Sequence, residues 1–165
     1  MPQLNKGGKF VFGLSELHSD LSVVIPPQAF KEYHVEEDDS LIIFTGSKSS
    51  GGFCVTSERM LGQSELSKIL AENPCLSNSE SGWTAYKGRK YRAVKRNGNL
   101  VLLTEGDLRT LGIATGDVLM CVRSSDIAFT FMHHGPLMER SKNYQGEIPK
   151  YKIPSNFPIE IVTRL

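Results

Sequence analysis

SVVIPPQAFKEYHVEEDDSLIIFT, residues 22–45, aligns without a gap with LVLLTEGDLRTLGIATGDVLMCVR, residues 100–123. The two segments lie 78 residues apart, and their apolar positions largely coincide. The coincident pairs include Val23 with Val101, Phe30 with Leu108, Val35 with Ile113, and the mostly apolar run 40–44 with 118–122. A self-match at fixed spacing indicates that one supersecondary unit was copied within the chain.

Each copy has the pattern of a strand, a short helix and a second strand. The apolar runs 22–25 and 100–103 predict buried strands. A helix follows, entered at Pro26-Pro27 in the first copy and at the N-cap residue Thr104 in the second, where Gly112 ends it. Outward extension adds flanking strands, predicted at 10–14 and 52–56 in the first copy and at 91–95 and 127–132 in the second. These outer strands align only after shifts of about three residues. The gapless match is therefore limited to the central strand–helix–strand segment of each copy.

Composition describes an ordinary globular chain of 165 residues with 39% hydrophobic and 22% charged residues. The formal net charge of +1 gives no global attraction to nucleic acid, so any such binding needs a local patch. No apolar run approaches the ~20 residues that span a bilayer, and the N-terminus lacks the apolar region of a signal peptide. With three cysteines, an odd number, we expect a reduced, cytoplasmic protein without membrane association.

The second copy resembles the AbrB/MazE-like (SpoVT-AbrB) swapped-hairpin domain. The resemblance is carried by the basic strand before Asn97-Gly98, the helix ending in Leu-Gly-Ile at 111–113, and the Gly-Asp turn at 116–117. The first copy resembles it through Val-Val-Ile-Pro at 23–26 and the acidic turn before 40–44. In that family two units interleave to form one barrel, usually from two chains. The resemblance implies a mainly β fold with short helices, built from tandem strand–strand–helix–strand–strand units, whose swapped-hairpin, cradle-loop type barrel can close within one chain.

This interpretation divides the chain into four segments. The two AbrB-like units are 10–56 and 88–132. Between them, 57–87 is expected to be an insertion with a short helix at 65–72, capped by Ser64. Residues 133–165 form an extension punctuated by prolines, which argue against a long helix, and the run 159–162 predicts an edge strand.

The basic stretch 83–98 is the candidate functional segment, because it holds six basic residues and no acidic one. Such residues neutralise phosphates, and arginine also reads guanine edges. The candidate DNA-binding residues are Lys87, Arg89, Lys90, Arg92, Lys95, Arg96 and, on the following helix, Arg109. By resemblance, Arg92, Lys95 and Arg96 correspond to family positions that contact DNA, and we expect them to face solvent together. The first copy has Leu14, Leu17 and His18 at the corresponding positions, and a solvated charged face is the simpler alternative.

No catalytic motif, metal-ligand spacing or cofactor fingerprint is present in the sequence, and we predict neither an enzyme nor a cofactor. Two functions stay open. The first is a transcription regulator that binds double-stranded DNA through a basic barrel edge. The second is a protein-interaction module, antitoxin-like or a scaffold, with no DNA binding, which uses the extension 133–165 and the acidic face near 36–39. Self-association through the insertion or the extension is compatible with both.

Overall fold

Strands and short helices alternate along the chain in the computed structural model, which describes residue 3 and residues 9–152. The strands are β1 (Val11–Glu16), β2 (Ser22–Val24), β3 (Ser40–Thr45), β4 (Phe53–Thr56), β5 (Thr84–Tyr86), β6 (Arg89–Asn97), β7 (Leu100–Leu102), β8 (Val118–Arg123), β9 (Phe129–Met132) and β10 (Lys150–Tyr151). The α-helices are α1 (Pro27–Glu32), α2 (Glu58–Gly62), α3 (Lys68–Glu72), α4 (Glu105–Leu111) and α5 (Pro136–Ser141). The fold is therefore mainly β with short helices, as the sequence predicts.

Nine of the strands form one nearly closed, barrel-shaped sheet in the order β10-β1-β8-β9-β4-β3-β6-β7-β2, and β5 pairs with the start of β6. The pairings run across the two repeats: β1 pairs with β8, β3 with β6, β4 with β9, and β2 with β7, all antiparallel. The hydroxyl of Ser15 on β1 donates to the carbonyl of Val24 on β2 at 2.7 Å. This bond joins β2, the last strand in the order, to β1, the second strand from the opposite end.

Strand register corrects the predicted alignment of the outer strands. Glu16 lies opposite Val118 and Lys95 opposite Ser40. Because Val118 and Ser40 coincide in the gapless alignment, Glu16 corresponds to Lys95, a shift of one residue rather than three. The first strands are also longer than predicted and reach the turns that follow them.

Two hydrophobic clusters lie on opposite faces of the sheet. Alternate residues of the strands fill the barrel interior, among them Val23, Leu41, Ile43, Val101, Leu119 and Phe131. The residues between them face outward, and there Ile42 and Tyr91 pack against Leu61, Ile69 and Leu76. Since these three lie in 57–87, the predicted insertion covers the outer face of β3 and β6.

The insertion contains more helix than the sequence predicts. The first turn is α2, whose N-cap Ser57 accepts a hydrogen bond from the Met60 amide. The predicted helix 65–72 divides into a 3-10 turn over Glu65–Ser67 and the helix α3. The hydroxyl of Ser64 accepts from the Leu66 amide and donates to the Leu61 carbonyl, which ties this turn to α2.

The C-terminal extension supplies a short helix, α5, and an edge strand, β10. β10 runs parallel to β1, with Leu14 opposite Lys150 and Ser15 opposite Tyr151. The ring of Tyr151 covers Gly13 so closely that a Cβ there would lie 2.6 Å from it. The edge strand predicted at 159–162 falls outside the described residues. Among the described residues, none of the helices has the length and apolar character needed to cross a membrane.

Candidate nucleic-acid interface

The basic stretch 83–98 lies mainly on β5 and β6, and the pairing of β6 with β3 decides its surroundings. Tyr91 lies opposite Phe44, and Lys95 lies opposite Ser40. The start of β6 therefore adjoins residues 46–52 after β3, which we name the serine-rich loop. The far end of β6 adjoins residues 36–39 before β3, which we name the acidic turn. We refer to these regions as the loop end and the acidic end of β6.

Arg92, midway along β6, forms an ion pair inside the structure. Its Nη1 lies 3.3 Å from Oδ2 of Asp107, and the two side chains are 13% and 1% exposed. Nη1 also donates to the Ala93 carbonyl at 3.1 Å, and Nη2 donates to the Ser79 carbonyl at 3.4 Å. The guanidinium thus links β6 to α4 and to the loop before β5.

Asp107 is held by further donors, which explains how a carboxylate is buried there. Trp83 Nε1 donates to Oδ1 at 3.0 Å, and the Thr104 amide donates to Oδ2 at 2.9 Å. In return the Thr104 hydroxyl accepts from the Asp107 amide, completing a capping box at the start of α4. Burial of a carboxylate is tolerated when it is both paired and hydrogen-bonded, as here.

Arg96, at the acidic end, binds backbone carbonyls. Its Nε donates to the Asp38 carbonyl at 2.6 Å, Nη1 to Gly98 at 2.9 Å, and Nη2 to Glu36 at 3.2 Å. Its guanidinium carbon also lies 5.5 Å from the centre of the Phe30 ring. These contacts fasten the acidic turn to β6.

Two other basic side chains near this end form ion pairs with carboxylates. Lys95 lies 3.2 Å from Glu80, with both side chains largely exposed. Arg59 binds both carboxylate oxygens of Asp38, at 3.2 and 2.9 Å, and this hydrogen bonding raises the pKa of its guanidinium. Arg92, Lys95 and Arg96 therefore do not face solvent together, because Arg92 turns into the structure and Arg96 turns onto the acidic turn.

The loop end presents its lysines to solvent. Lys87 and Gly88 have φ of 47° and 83°, and they form the two-residue turn between β5 and β6. Both Lys87 and Lys90 are exposed, and the Lys90 amide donates to the hydroxyl of Thr45 at 3.3 Å. Exposed Lys48 lies in the adjoining serine-rich loop. Its position beside the basic stretch follows from strand pairing, so the linear sequence gave no signal for it.

Arg89 and Arg109 differ from the lysines in their settings. Arg89 is partly buried; its guanidinium carbon lies 5.5 Å from the centre of the Phe44 ring, and Nη1 donates to the Thr45 carbonyl at 3.3 Å. Arg109 is exposed on α4, a helix that follows β6 and β7 in the sequence and belongs to neither end of β6. The structure thus separates the seven candidates into four exposed side chains, the partly buried Arg89, and two structural arginines, Arg92 and Arg96.

Among the described residues, no three His, Cys, Asp or Glu side chains are grouped so that they could hold a metal ion. Cys54 and Cys121 are buried, which raises the pKa of both thiols, and Cys75 is partly exposed. Asp117, in the turn before β8, accepts from the Ala114 amide at 2.8 Å and contacts His133 Nε2 at 3.0 Å. Asp117 and His133 are thus partners of one another, and none of these groups forms a metal centre in the described part of the chain.

Comparison with known proteins gives no relative: no family model, curated protein or solved structure matches this chain significantly.

Proposed function

We propose that this barrel consists of two swapped-hairpin units in tandem, 10–56 and 88–132, of the AbrB-like type. The reciprocal strand pairing supports the proposal. The first strand of each unit, β1 or β6, pairs with the third strand of the other unit, β8 or β3. The second strands pair with each other through Val23 and Val101, which coincide in the repeat alignment. Each unit alone would leave these strand edges open, so each requires the other.

The test of this architecture is light scattering combined with dilution and a measurement of folding. A chain that carries both units closes the barrel within itself, so we expect a folded monomer at low concentration. Loss of β structure by circular dichroism on dilution would show that the units exchange between chains instead.

We propose further that the protein is a DNA-binding regulator and that the loop end of β6 contacts the phosphate backbone. The observation that carries this proposal is the grouping of exposed Lys87 and Lys90 at the end of β6 that bonds to Thr45, three residues before exposed Lys48 in the serine-rich loop. Neither 45–52 nor 83–91 contains an acidic residue, so this grouping is not neutralised by its own segments. Lysines in such a setting bind phosphate and displace counterions without reading sequence.

In this proposal the remaining basic candidates have other roles. Arg92 and Arg96 maintain the shape of the barrel around β6, because their guanidinium groups are bonded to Asp107 and to backbone carbonyls. Exposed Arg109 and Lys95 are left as accessory phosphate contacts. Specific readout of bases would require further side chains from the exposed loops.

The experiment is a fluorescence-anisotropy titration of a mixed-sequence duplex at ~50 mM salt, where phosphate contacts are strong. The test variant is Lys87→Asn with Lys90→Gln, since asparagine tolerates the positive φ of the turn. The matched control is Lys31→Gln with Lys68→Gln, which removes two exposed lysines elsewhere. We expect weaker binding by the test variant alone, with the slope of log K against log salt reduced by about two, one per phosphate contact.

Equal loss in test and control variants would mean that net charge, not this surface, attracts DNA. No binding by the unaltered protein at that salt would overturn the proposal and favour the second function, a protein-interaction module. The use of Arg92 and Arg96 inside the structure already favours that second function. Its surfaces would be the exposed Glu36 and Glu37 of the acidic turn and the extension from 133 onward.

A further inference from the structure

A cavity of about 410 Å³ opens at the loop end, between the serine-rich loop and the β8–β9 loop, residues 124–128. Arg89 and Lys9 line it, together with hydroxyls from both loops and with Cys54 and Thr130 from the paired strands β4 and β9. The repeat therefore brings two hairpin loops of unlike sequence to one site. The linear sequence gives no sign of this cavity, because its lining comes from separate segments.

The cavity carries positive charge that the described residues do not pair. Arg59, Arg92 and Arg123 each form an ion pair with a carboxylate. Within residues 9–152, neither Arg89 nor Lys9 lies within 4 Å of a carboxylate oxygen, and Arg89 bonds only to the Thr45 carbonyl and the Cys54 side chain. A partly buried guanidinium has five N–H donors in a fork that matches carboxylate and phosphate oxygens. Arg89 is thus prepared to bind an anion.

The hydroxyls of the serine-rich loop can complete such a site. Ser47 Oγ lies 3.0 Å from Ser49 Oγ and 2.9 Å from Ser50 Oγ, so the three groups bond mainly with one another. A hydroxyl rotates freely and donates one proton, and bonds of this kind can be redirected to a bound oxygen anion. The loop is therefore able to exchange internal bonds for ligand bonds at little cost.

An apolar cavity of about 220 Å³ adjoins the polar one. The two share Phe44, Arg89, Ser125 and Ala128, and the second is completed by Leu61, Leu66, Tyr91 and Ile127. Arg89 lies at their boundary over the Phe44 ring, and Leu66 at the apolar side is 50% exposed. Small-molecule sites commonly combine an apolar wall with a few placed polar groups in ~300–1,000 Å³.

We propose that this double cavity binds a small organic anion, with a phosphate or carboxylate group on Arg89 and Lys9 and an apolar or aromatic body against Phe44 and Leu66. The site binds without covalent chemistry at Cys54. Burial raises the pKa of that thiol, an effect that its bond to Thr130 and the nearby Arg89 and Lys9 charges offset only in part. The thiol therefore stays protonated. It does not act as a nucleophile, because only the thiolate form is reactive.

The probe is 1-naphthyl phosphate, compared with 1-naphthol and inorganic phosphate, each titrated calorimetrically into the full chain at low salt. We expect saturable 1:1 binding of naphthyl phosphate, at least tenfold tighter than either fragment, because both halves of the cavity are used. Equal affinity for naphthol would show an apolar pocket without anion recognition. The absence of saturable naphthyl phosphate binding would overturn the proposal.

Two variants test the two halves of the site. Arg89→Gln should weaken naphthyl phosphate at least tenfold and naphthol much less, since it removes the anion partner while only shortening a side chain that also lines the apolar cavity. Leu66→Ser, at an exposed position, should weaken both aromatic probes and leave inorganic phosphate unchanged. If Arg89→Gln melts at a lower temperature than the unaltered protein, Lys9→Gln is the second test of the anion site. It should also weaken the affinity for naphthyl phosphate.

Lys87→Asn with Lys90→Gln is the control that separates this site from the proposed DNA surface. Both lysines lie outside the lining of the double cavity. We expect naphthyl phosphate affinity within about twofold of the unaltered protein, whether or not the chain binds DNA. Parallel loss of naphthyl phosphate and DNA binding in this control would show one diffuse cationic surface and contradict a separate site.

Discussion

The loop end and the acidic end of β6 hold similar basic residues that the fold uses in different ways. At the acidic end Arg96 donates to three carbonyls, and Lys95 lies against Glu80. At the loop end Lys87 and Lys90 point to solvent, and Arg89 lines a cavity without a carboxylate partner among the described residues. The antiparallel neighbour β3 contributes to this difference, because the acidic turn before it supplies two of the backbone carbonyls that bind Arg96, whereas the loop after it contains no acidic residue.

The two repeats show the same dependence on neighbours. By strand register Gly13 of the first unit corresponds to Arg92 of the second, since they lie opposite Cys121 and Ile43. In the gapless alignment Ala29 stands where Asp107 stands. The second unit therefore has a buried ion pair, whereas the first unit has two small residues and the ring of Tyr151 packed over Gly13. The same pairing of strand and helix thus accommodates either a buried ion pair or two small residues at these positions.

The largest expected effect is that of Asp107→Ala, which would leave Arg92 partly buried without its partner. Removing one member of a buried ion pair costs about 3–5 kcal/mol of unfolding free energy. Urea denaturation measures it, with Glu105→Ala, an exposed first-turn acid on the same helix, as the control. The control should cost about 0.3–1 kcal/mol through the helix dipole. Equal effects of the two substitutions would show that Arg92 and Asp107 are not coupled.

A smaller loss is expected for Arg96→Met, which keeps an unbranched side chain and removes the guanidinium group with its contact to Phe30 and its three hydrogen bonds to carbonyls. Hydrogen bonds from charged groups contribute about 1.5–3 kcal/mol, and we expect a total in that range because the carbonyls regain water. Lys95→Met on the same strand is the control. Its exposed pair with Glu80 is worth about 0–1 kcal/mol. A cost for Lys95→Met as large as that for Arg96→Met would contradict the different roles described for them.

The smallest expected effect is that of Arg89→Met at the loop end. This side chain bonds to the Thr45 carbonyl and to the Cys54 side chain and contacts one aromatic ring, without a carboxylate partner, so its loss should cost about 1 kcal/mol. The same denaturation experiment checks it against Arg96→Met. A cost equal to that of Arg96→Met would show that Arg89 is a structural residue and would remove the reason for assigning it to a ligand.

The sequence predicted the central elements of both units closely. The four apolar runs form β2, β7, β3 and β8. Thr104 begins α4 as its N-cap, and Gly112 ends it as a C-cap in the left-handed conformation. These features depend on residues close along the chain, which is why local patterns reveal them. The helix α2 was missed because its five residues are too short to show a period, and the register of β1 was missed because only its partner β8 sets it.

The repeat, the strand and helix types and the presence of a basic stretch were determined by the sequence alone, because hydrophobic period and capping are local properties. Which basic side chains are free was decided only by the tertiary structure. Arg92 meets Asp107, Arg96 meets the acidic turn and Arg89 meets a cavity through pairing between distant strands. A charge acts through what lies within a few ångströms of it, and for β6 those neighbours come largely from segments far along the chain.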